Sequence, residues 1–283
     1  MNPRDLDLVL TFIQQHPEAA ARELELQPQE VAAELVSALP LKQGRQLITH
    51  MLPPYVARLC IHWSLDKAAG LMADFNANQA AAILRCIEKP QRDELVSVLP
   101  EKTATLCRLL MSYSEDTVGA WMTADLIILP STCRVGEALK RFSSASDSVR
   151  IAELLVVNET QHLIGTISVQ ALLQAKVEAP ISHLVLPAPP VLHARTSLVA
   201  ANRHEGWQKN DTLAVLNRNQ QLVGILHHLD LRRSLARHGE VSRAISQGDL
   251  VGNLAEAYSG TLMALLGLVG WSSHSVSSRG ESR

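Results

Sequence analysis

Apolar residues recur at spacings of three and four over the first 118 residues, which is the period of amphipathic helices. Prolines and turn-forming residues interrupt this pattern repeatedly, for example at Pro40 and Pro53. Because proline cannot donate the helical hydrogen bond and disfavours helical geometry in the residue before it, each one marks the start of a new helix. We therefore predict short helices stacked in a solenoid-like superhelix, with Val31 and Leu39 among the buried residues; an irregular helical bundle is the alternative.

Runs typical of strands replace this pattern from Trp121 onward and alternate with shorter helical runs. Residues 154–173 read LLVVNETQHLIGTISVQALL, and 59 positions later residues 213–232 read LAVLNRNQQLVGILHHLDLR, with seven of the 20 positions identical. The polar quartets NETQ and NRNQ each separate two apolar runs, so each copy is predicted to form a hairpin followed by a helix. The duplication indicates two similar modules that pack about a pseudo-twofold axis.

Composition narrows the classes of function. The chain has 26 basic and 28 acidic side chains, so no strong overall charge attracts nucleic acid or an anionic membrane, and we expect no nucleic-acid partner. The first residues lack a long apolar core and a cleavage site, so we expect no secretory signal and a cytoplasmic location. The chain contains no G-x-S-x-G, phosphate-loop or H-E-x-x-H motif, so we do not expect an enzyme.

The four cysteines, Cys60, Cys86, Cys107 and Cys133, are widely spaced and form no C-x-x-C pair. Metal fingers and redox sites need close pairs. The spacing therefore predicts buried free thiols in a reducing compartment.

The repeated phrase resembles a tandem pair of CBS domains. The junction LLMSYSEDTVGAWMTADLIIL, residues 109–129, resembles the hinge of MgtE-type magnesium transporters, whose motif has the form LL-x-Y-P-E-D-S-A-G-x-L-M-T. Eight positions match this motif: Leu109, Leu110, Tyr113, Glu115, Asp116, Gly119, Met122 and Thr123. Ser114, Thr117 and Val118 are among the positions that depart from it. The resemblance extends from about residue 25 to residue 240 and covers the cytosolic part of such a transporter, without its transmembrane domain.

The resemblance implies an α plus α/β fold class, with a superhelical N-terminal domain, a tandem CBS-domain pair and a C-terminal amphipathic helix. The predicted domains are the helical superhelix over residues 1–117, CBS domains over 118–178 and 179–240, the amphipathic helix over 241–271 and a disordered tail over 272–283.

The C-terminal segment 250–271 reads LVGNLAEAYSGTLMALLGLVGW and carries Asn253, Glu256 and Ser259 in its first half. These polar residues argue against a membrane span, and an apolar stripe that includes Leu254 and Leu262 predicts an amphipathic helix. The expected role is packing against the chain itself or a dimer mate. Docking on a partner or a membrane surface, or a true span, are the alternatives.

The resemblance also implies a candidate nucleotide site. Nucleotide-binding CBS modules carry a G-x-x-[ST]-x-x-D pattern, in which the carboxylate accepts from ribose hydroxyls and the hydroxyl lies near phosphate. The first copy keeps the hydroxyl as Ser168 and has Ala171 in place of the carboxylate. The second keeps the carboxylate as Asp230 and has His227 in place of the hydroxyl.

Asp230, His227 and Ser168 are therefore the candidate residues for an adenine nucleotide (ATP, ADP or AMP), with the second copy favoured. The alternatives are that Asp230 is a cap or first-turn acid of its helix and that the histidines are structural. Adjacent strand residues point to opposite faces, so His227 and His228 are not expected to share a metal ion.

Magnesium sensing in the resembled family implies acidic faces on the helical domain, the CBS pair and the connecting helix, whose mutual repulsion Mg²⁺ screens. The weak Mg²⁺ candidates are Glu115 and Asp116, with Asp93 and Glu94; a solvated acidic surface is the alternative. Residues 1–118 carry 15 acidic and 11 basic side chains, whereas residues 119–240 carry 10 and 12.

The predicted function is a regulatory or adaptor protein that couples nucleotide or Mg²⁺ occupancy to an unknown protein partner. The expected partners are a second copy of the chain, joined through the CBS pair, and a membrane transporter. The alternatives are a purely structural dimeric interaction module with degenerate clefts and an accessory gating subunit of a separate magnesium transporter.

Overall fold

The structure is a computed structural model, and it describes residues 3–144 and 153–236. The residues up to Arg232 form one compact unit, and a second unit begins at Arg233. The predicted amphipathic helix over 241–271 and the predicted tail over 272–283 lie outside the described residues.

Short helices fill the N-terminal part, as predicted. In the described residues before the hinge they are α1 (Pro3–Gln15), α2 (Pro17–Glu25), α3 (Gln29–Ala38), α4 (Leu41–Thr49), α5 (Pro53–Cys60), α6 (Leu65–Met72), α7 (Ala77–Arg85), α8 (Gln91–Val98) and α9 (Glu101–Met111). Most pack against the second helix along the chain, α2 on α4, α3 on α5 and so on to α7 on α9, which is the stacking of a superhelix.

Prolines begin these helices as the sequence indicates. Pro40 and Pro100 are the residues before α4 and α9, and Pro53 is the first residue of α5. Where proline is absent, Asn76 caps α7 by accepting from Gln79 N at 2.9 Å. The connections are thus set by local sequence, and burial of one face against neighbours stabilises each short helix.

One predicted core position is wrong. Leu39 is buried, but the Val31 side chain is 53% exposed, and α3 buries Ala32, Ala33 and Val36 instead. The buried face of α3 is thus shifted by one residue, to positions that include two alanines, which the spacing of the larger apolar residues does not indicate.

Two sheets follow the hinge helix α10 (Val118–Trp121). The first module contains β1 (Ile128–Pro130), α11 (Val135–Ser143), β2 (Glu153–Val157), β3 (Leu163–Ser168) and α12 (Val169–Gln174). Next come β4 (Leu186–Pro187) and the second module, with β5 (Val191–His193), α13 (Leu198–Asn202), β6 (Thr212–Leu216), β7 (Leu222–His227) and a helix, here α14, over residues 228–236. The strand orders are β1-β2-β3-β4 and β5-β6-β7.

The two predicted hairpins have the same register. Val156 pairs with Gly165 in the first and Val215 with Gly224 in the second, and each hairpin has an irregularity directly after that pair. Each turn is closed by an asparagine side chain, Asn158 or Asn217, which accepts backbone N–H groups within the turn. The last turn residue, Gln161 or Gln220, has a positive φ of 65° or 58°. The duplication is therefore confirmed down to its turn geometry.

The modules exchange short extended segments. β4 precedes the second module but pairs with β3 of the first, where Leu186 lies opposite Thr166. Thr123 precedes the first module but pairs with Ile225 of β7, its N–H donating to the Ile225 carbonyl at 2.7 Å. Thr166 and Ile225 are equivalent positions of the repeat, so the exchange is reciprocal. The sequence prediction contained neither segment as a strand.

An apolar cluster joins the two sheets. Leu155 and Val157 of β2 pack with Ala214, Leu216, Leu222 and Ile225 of β6 and β7. This cluster completes the core that each module leaves open, in agreement with the predicted pseudo-twofold pair.

Cysteine burial follows the prediction in three of four positions. Cys60, Cys107 and Cys133 are buried free thiols, whereas Cys86 is exposed. Burial raises the pKa of Cys60 to about 12 and that of Cys107 to about 11. Within residues 3–144 and 153–236, no helix is long and apolar enough to cross a membrane.

Candidate ligand site and hinge

The second module gathers polar groups where β7 ends. His227 is the last residue of β7 and lies opposite Thr212, the first residue of β6. Its Nδ1 lies 2.9 Å from the Thr212 hydroxyl, and the side chain is half-buried. One ring nitrogen is thus held by the neighbouring strand, which fixes the imidazole plane and leaves Nε2 for another partner.

The adjacent histidine points elsewhere. The His228 ring stacks on Trp207, with centroids 4.8 Å apart and an interplanar angle of 15°. Its backbone N–H donates to the Asp211 carbonyl at 2.9 Å, and the Trp207 indole N–H donates to the Ala201 carbonyl at 2.7 Å. The two histidines face different partners, as predicted, and the Trp207–His228 pair anchors the beginning of α14.

Asp230 is the third residue of α14 and is half-buried. It occupies the first turn and does not precede the helix, so of its two structural alternatives the first-turn acid fits its position. A carboxylate is favoured there because the free N–H groups and the helix dipole place partial positive charge at the N-terminus. The same field favours a bound anion.

The first module uses the equivalent positions differently. Ser168 precedes α12, and its hydroxyl accepts from Ala171 N at 3.1 Å, so it is the cap of that helix. Ala171 contributes no carboxylate. The Ser168 hydroxyl is therefore already engaged as the cap of α12. The second module instead has an imidazole, His227, and a carboxylate, Asp230, at the two equivalent positions.

The hinge lies directly on the second module. Gly119 N donates to the Ala194 carbonyl at 2.7 Å and Val118 N to the Thr196 carbonyl at 2.9 Å. The Met122 side chain covers Gly224 of β7, where any side chain larger than hydrogen would meet it. The hinge is thus attached both to β5 and to the strand that ends in His227.

On its other side the hinge receives two side chains of α7. Asn78 Nδ2 donates to the carbonyls of Met122 at 2.9 Å and Trp121 at 3.3 Å. Arg85 donates to the carbonyls of Leu110 at 2.9 Å and Ala120 at 3.1 Å. These contacts connect the superhelix to the segment that carries the hinge motif.

The Arg85 guanidinium is half-buried and lies 6.0 Å from the centre of the Trp121 ring. Burial lowers the pKa of Arg85, and the nearby charge of Glu115 opposes this shift. The Trp121 indole N–H donates to the Glu115 carbonyl at 2.6 Å. A further link is the ion pair between Lys102 of α9 and Asp125, at 2.7 Å.

The magnesium candidates are exposed. Glu115 and Asp116 lie in the hinge, and Asp93 and Glu94 lie in the first turn of α8. Among the described residues, no three histidine, cysteine, aspartate or glutamate side chains are grouped so that they could hold a metal ion. Their role as Mg²⁺ ligands therefore stays a prediction from the sequence.

The sequence prediction missed Thr212, Trp207, Asn78 and Arg85. Thr212 follows from the register, since the residue opposite His227 is fixed once the hairpin is aligned. Trp207 precedes the predicted strand and was an available aromatic signal. Asn78 and Arg85 lie far from the hinge in sequence, and only the superhelical stacking brings them to it.

A groove of about 390 Å³ lies among α1–α4 and is lined mainly by apolar side chains, including Phe12, Leu24 and Leu47. Glu23 and Gln27 are its polar lining residues. An apolar lining with one carboxylate and, among the described residues, no cationic side chain does not suit a nucleotide, so the groove is not a second candidate site for that ligand.

Comparison with known proteins agrees with this architecture. Residues 15–116 match the family model of the MgtE intracellular N domain, and residues 118–178 match that of the CBS domain. The magnesium transporter MgtE of Bacillus subtilis (strain 168) is 26% identical over 172 residues, which are 56% of this chain and 36% of the transporter. The chain therefore spans about a third of that relative.

Two solved structures are similar. The soluble part of a magnesium transporter has a TM-score of 0.59 at 17% identity, covering 83% of this chain and 98% of that one. The cytosolic domain of the Mg²⁺ channel MgtE in complex with ATP has a TM-score of 0.49 at 22% identity, covering 82% and 90%. With its N domain followed by CBS modules, the chain has the domain combination and fold of the cytosolic region of MgtE-type magnesium transporters.

Proposed function

We propose that the second CBS module binds an adenine nucleotide and transmits its occupancy through the hinge to the helical superhelix, in a regulatory and not an enzymatic role. The observation that carries this proposal is that one strand, β7, both leads to the candidate ligand site and pairs with the hinge. The strand ends at His227, three residues before Asp230, and two residues before His227, Ile225 pairs with Thr123 of the hinge. A shift of the end of β7 on ligand binding would therefore displace the hinge backbone that pairs with this strand.

The groups at the end of β7 suit a sugar phosphate. Asp230 would accept hydrogen bonds from ribose hydroxyls, and the N-terminus of α14 would favour phosphate oxygens. His227 Nε2 would donate to phosphate in place of the usual hydroxyl, while Thr212 holds the opposite ring nitrogen. In the first module the Ser168 hydroxyl is engaged as a cap and Ala171 stands at the position equivalent to Asp230, which favours a single site.

The link to magnesium transport is part of the proposal. The relative of known function is a complete magnesium transporter, of which this chain spans 36%. We infer a cytoplasmic location and a membrane transporter as the partner whose activity the nucleotide-dependent hinge would modulate. Direct Mg²⁺ binding at Glu115 and Asp116 or at Asp93 and Glu94 is a separate expectation.

Isothermal titration of ATP, ADP and AMP into the protein tests nucleotide binding, with MgCl₂ titrated alone to test the carboxylates. We expect saturable heat with at least one nucleotide, and weaker binding of that nucleotide in Asp230→Asn. Ser168→Ala is the matched control at the equivalent end of the first module and is expected to bind normally. Absence of heat with all three nucleotides would overturn the proposal.

A second candidate function is a dimeric interaction module, which the exposed leucines of the CBS pair favour. Leu173 of α12 is 65% exposed and Leu229 of α14 is 57% exposed. Each module thus presents a large apolar side chain from its second helix, as a self-complementary surface requires. Light scattering after size exclusion should give a dimer mass, and the double variant Leu173→Glu, Leu229→Glu a monomer. A monomeric wild-type protein would exclude this candidate.

A further inference from the structure

We propose that Asn78 and Arg85 form a latch that fixes the superhelix to the hinge without a divalent cation. The two side chains lie on α7 and donate to four carbonyls, those of Leu110, Ala120, Trp121 and Met122. The inference concerns how the helical domain is held and does not depend on nucleotide binding.

The four acceptors share a physical property. Leu110 lies in the last turn of α9, Ala120 and Trp121 in the short helix α10, and Met122 directly follows it. Carbonyls at the C-terminal end of a helix lack intrahelical partners and carry partial negative charge. A cation and an amide donor from α7 satisfy these groups, and the guanidinium of Arg85 spans the ends of two helices at once.

Burial strengthens this attachment. The Arg85 guanidinium is half-buried between the α9 carbonyl and the Trp121 ring, and removal of its side chain would take a donor from the partly desolvated carbonyls of Leu110 and Ala120. Trp121 is held in turn by the hydrogen bond from its indole to the Glu115 carbonyl. The latch therefore holds the hinge backbone and the hinge aromatic side chain together.

The charges at this junction oppose a cation bridge. The charge of the hinge carboxylate Glu115 acts on Arg85, so this carboxylate already has a cationic side chain near it. Asp125, which follows the hinge, is paired with Lys102 of the superhelix. The attachment of the superhelix to the hinge should therefore be unchanged when Mg²⁺ is removed.

Limited proteolysis with a glutamate-specific protease tests the latch, because cleavage after the exposed Glu115 reports opening of the hinge. In the double variant Asn78→Ala, Arg85→Gln we expect cleavage there to be roughly tenfold to a hundredfold faster, since several hydrogen bonds are lost. Arg58→Gln is the matched control, because Arg58 is an exposed arginine of the superhelix that contacts Tyr55 and not the hinge. It should cleave at the wild-type rate.

The same assay in EDTA and in excess MgCl₂, without nucleotide, tests cation independence. We expect equal wild-type rates in both. A wild-type rate that rises on removal of Mg²⁺ as much as it does in the double variant, or a double variant that cleaves like wild type, would overturn the proposal. If circular dichroism shows that the double variant does not fold, Asn78→Ala alone, which keeps the guanidinium in place, is judged by the same rates.

Discussion

The two CBS modules have one scaffold and two different strand ends. Their hairpins share register, irregularity and turn conformation, and both carry a glycine where the other module's segment crosses, Gly165 or Gly224. Beyond that crossing they diverge. Ser168 caps its helix, whereas His227 bonds Thr212 and is followed by Asp230 in the first turn. Duplication therefore preserved the positions that build the core, and the ends of the strands were free to change chemistry.

The modules also differ in what crosses them. The backbone of β4 pairs with the first module. The hinge pairs with the second module and also accepts a hydrogen bond from Asn78 of α7. The module with the candidate site is thus the one whose strand pairs with the hinge. This asymmetry is the basis of the proposed coupling.

The largest difference is expected from the matched pair Gly165→Ala and Gly224→Ala. A Cβ at Gly165 would overlap the Leu186 carbonyl oxygen, which cannot move without breaking β4 away. A Cβ at Gly224 would meet the Met122 side chain, which can change rotamer. We expect Gly165→Ala to lower the free energy of unfolding by about 3 kcal/mol and Gly224→Ala by about 1 kcal/mol. Urea denaturation measures both, and equal losses would contradict this account of the crossings.

The second largest effect is expected on the affinity of the second module for a nucleotide. Asp230→Ala should weaken nucleotide binding by roughly 10- to 100-fold, because a hydrogen-bonded partner of the ribose is lost. The reverse change, Ala171→Asp, tests whether the first module lacks only a carboxylate. Since Ser168 is engaged as a cap, we expect no second binding event in a titration of this variant. A stoichiometry of two would show that the cap does not block a site.

Ser168→Ala should act on stability alone. Loss of the cap is expected to cost about 1 kcal/mol in the free energy of unfolding, because Ala171 N loses its acceptor. Thermal denaturation followed by circular dichroism measures this, and Ser144→Ala, at an exposed position, serves as a control. A change in nucleotide affinity without a loss of stability would instead make Ser168 a ligand residue.

The smallest effect is expected in thiol labelling. Cys133 is buried in the core of the first module, and burial raises its pKa, so the nucleophilic thiolate is scarce until pH rises well above the ordinary thiol value. Mass spectrometry should find Cys86 labelled first and Cys133 slowly. Added nucleotide should leave the Cys133 rate unchanged, because the first module is not expected to bind it. Slower labelling of Cys133 with nucleotide would indicate that it does.

Much of the fold could be predicted because its signals are local. The hairpins predicted within residues 154–173 and 213–232 are observed as β2–β3 and β6–β7, since apolar runs separated by a polar turn fix a hairpin. Proline positions likewise set the starts of α4 and α5. The short crossing strand β4 was missed because two residues carry no period, and its pairing partner is supplied by the other module.

The candidate site could be predicted only in part. Asp230 and His227 were identified through a motif, but the partner of His227 depends on strand register and the Trp207–His228 stack on tertiary packing. Val31 was predicted to be buried and is exposed, because α3 buries the face that carries Ala32, Ala33 and Val36. Long-range hydrogen bonds such as those of Asn78 and Arg85 leave no pattern in the sequence.

Hydrogen exchange with and without saturating ATP, followed by mass spectrometry, shows in one experiment whether nucleotide binding at the second module reaches the hinge and leaves the first module unchanged. We expect slower exchange over residues 222–230 and 117–123, with no change over residues 163–171. Equal protection at the ends of β3 and β7, or protection at β7 with no change in the hinge, would contradict this expectation.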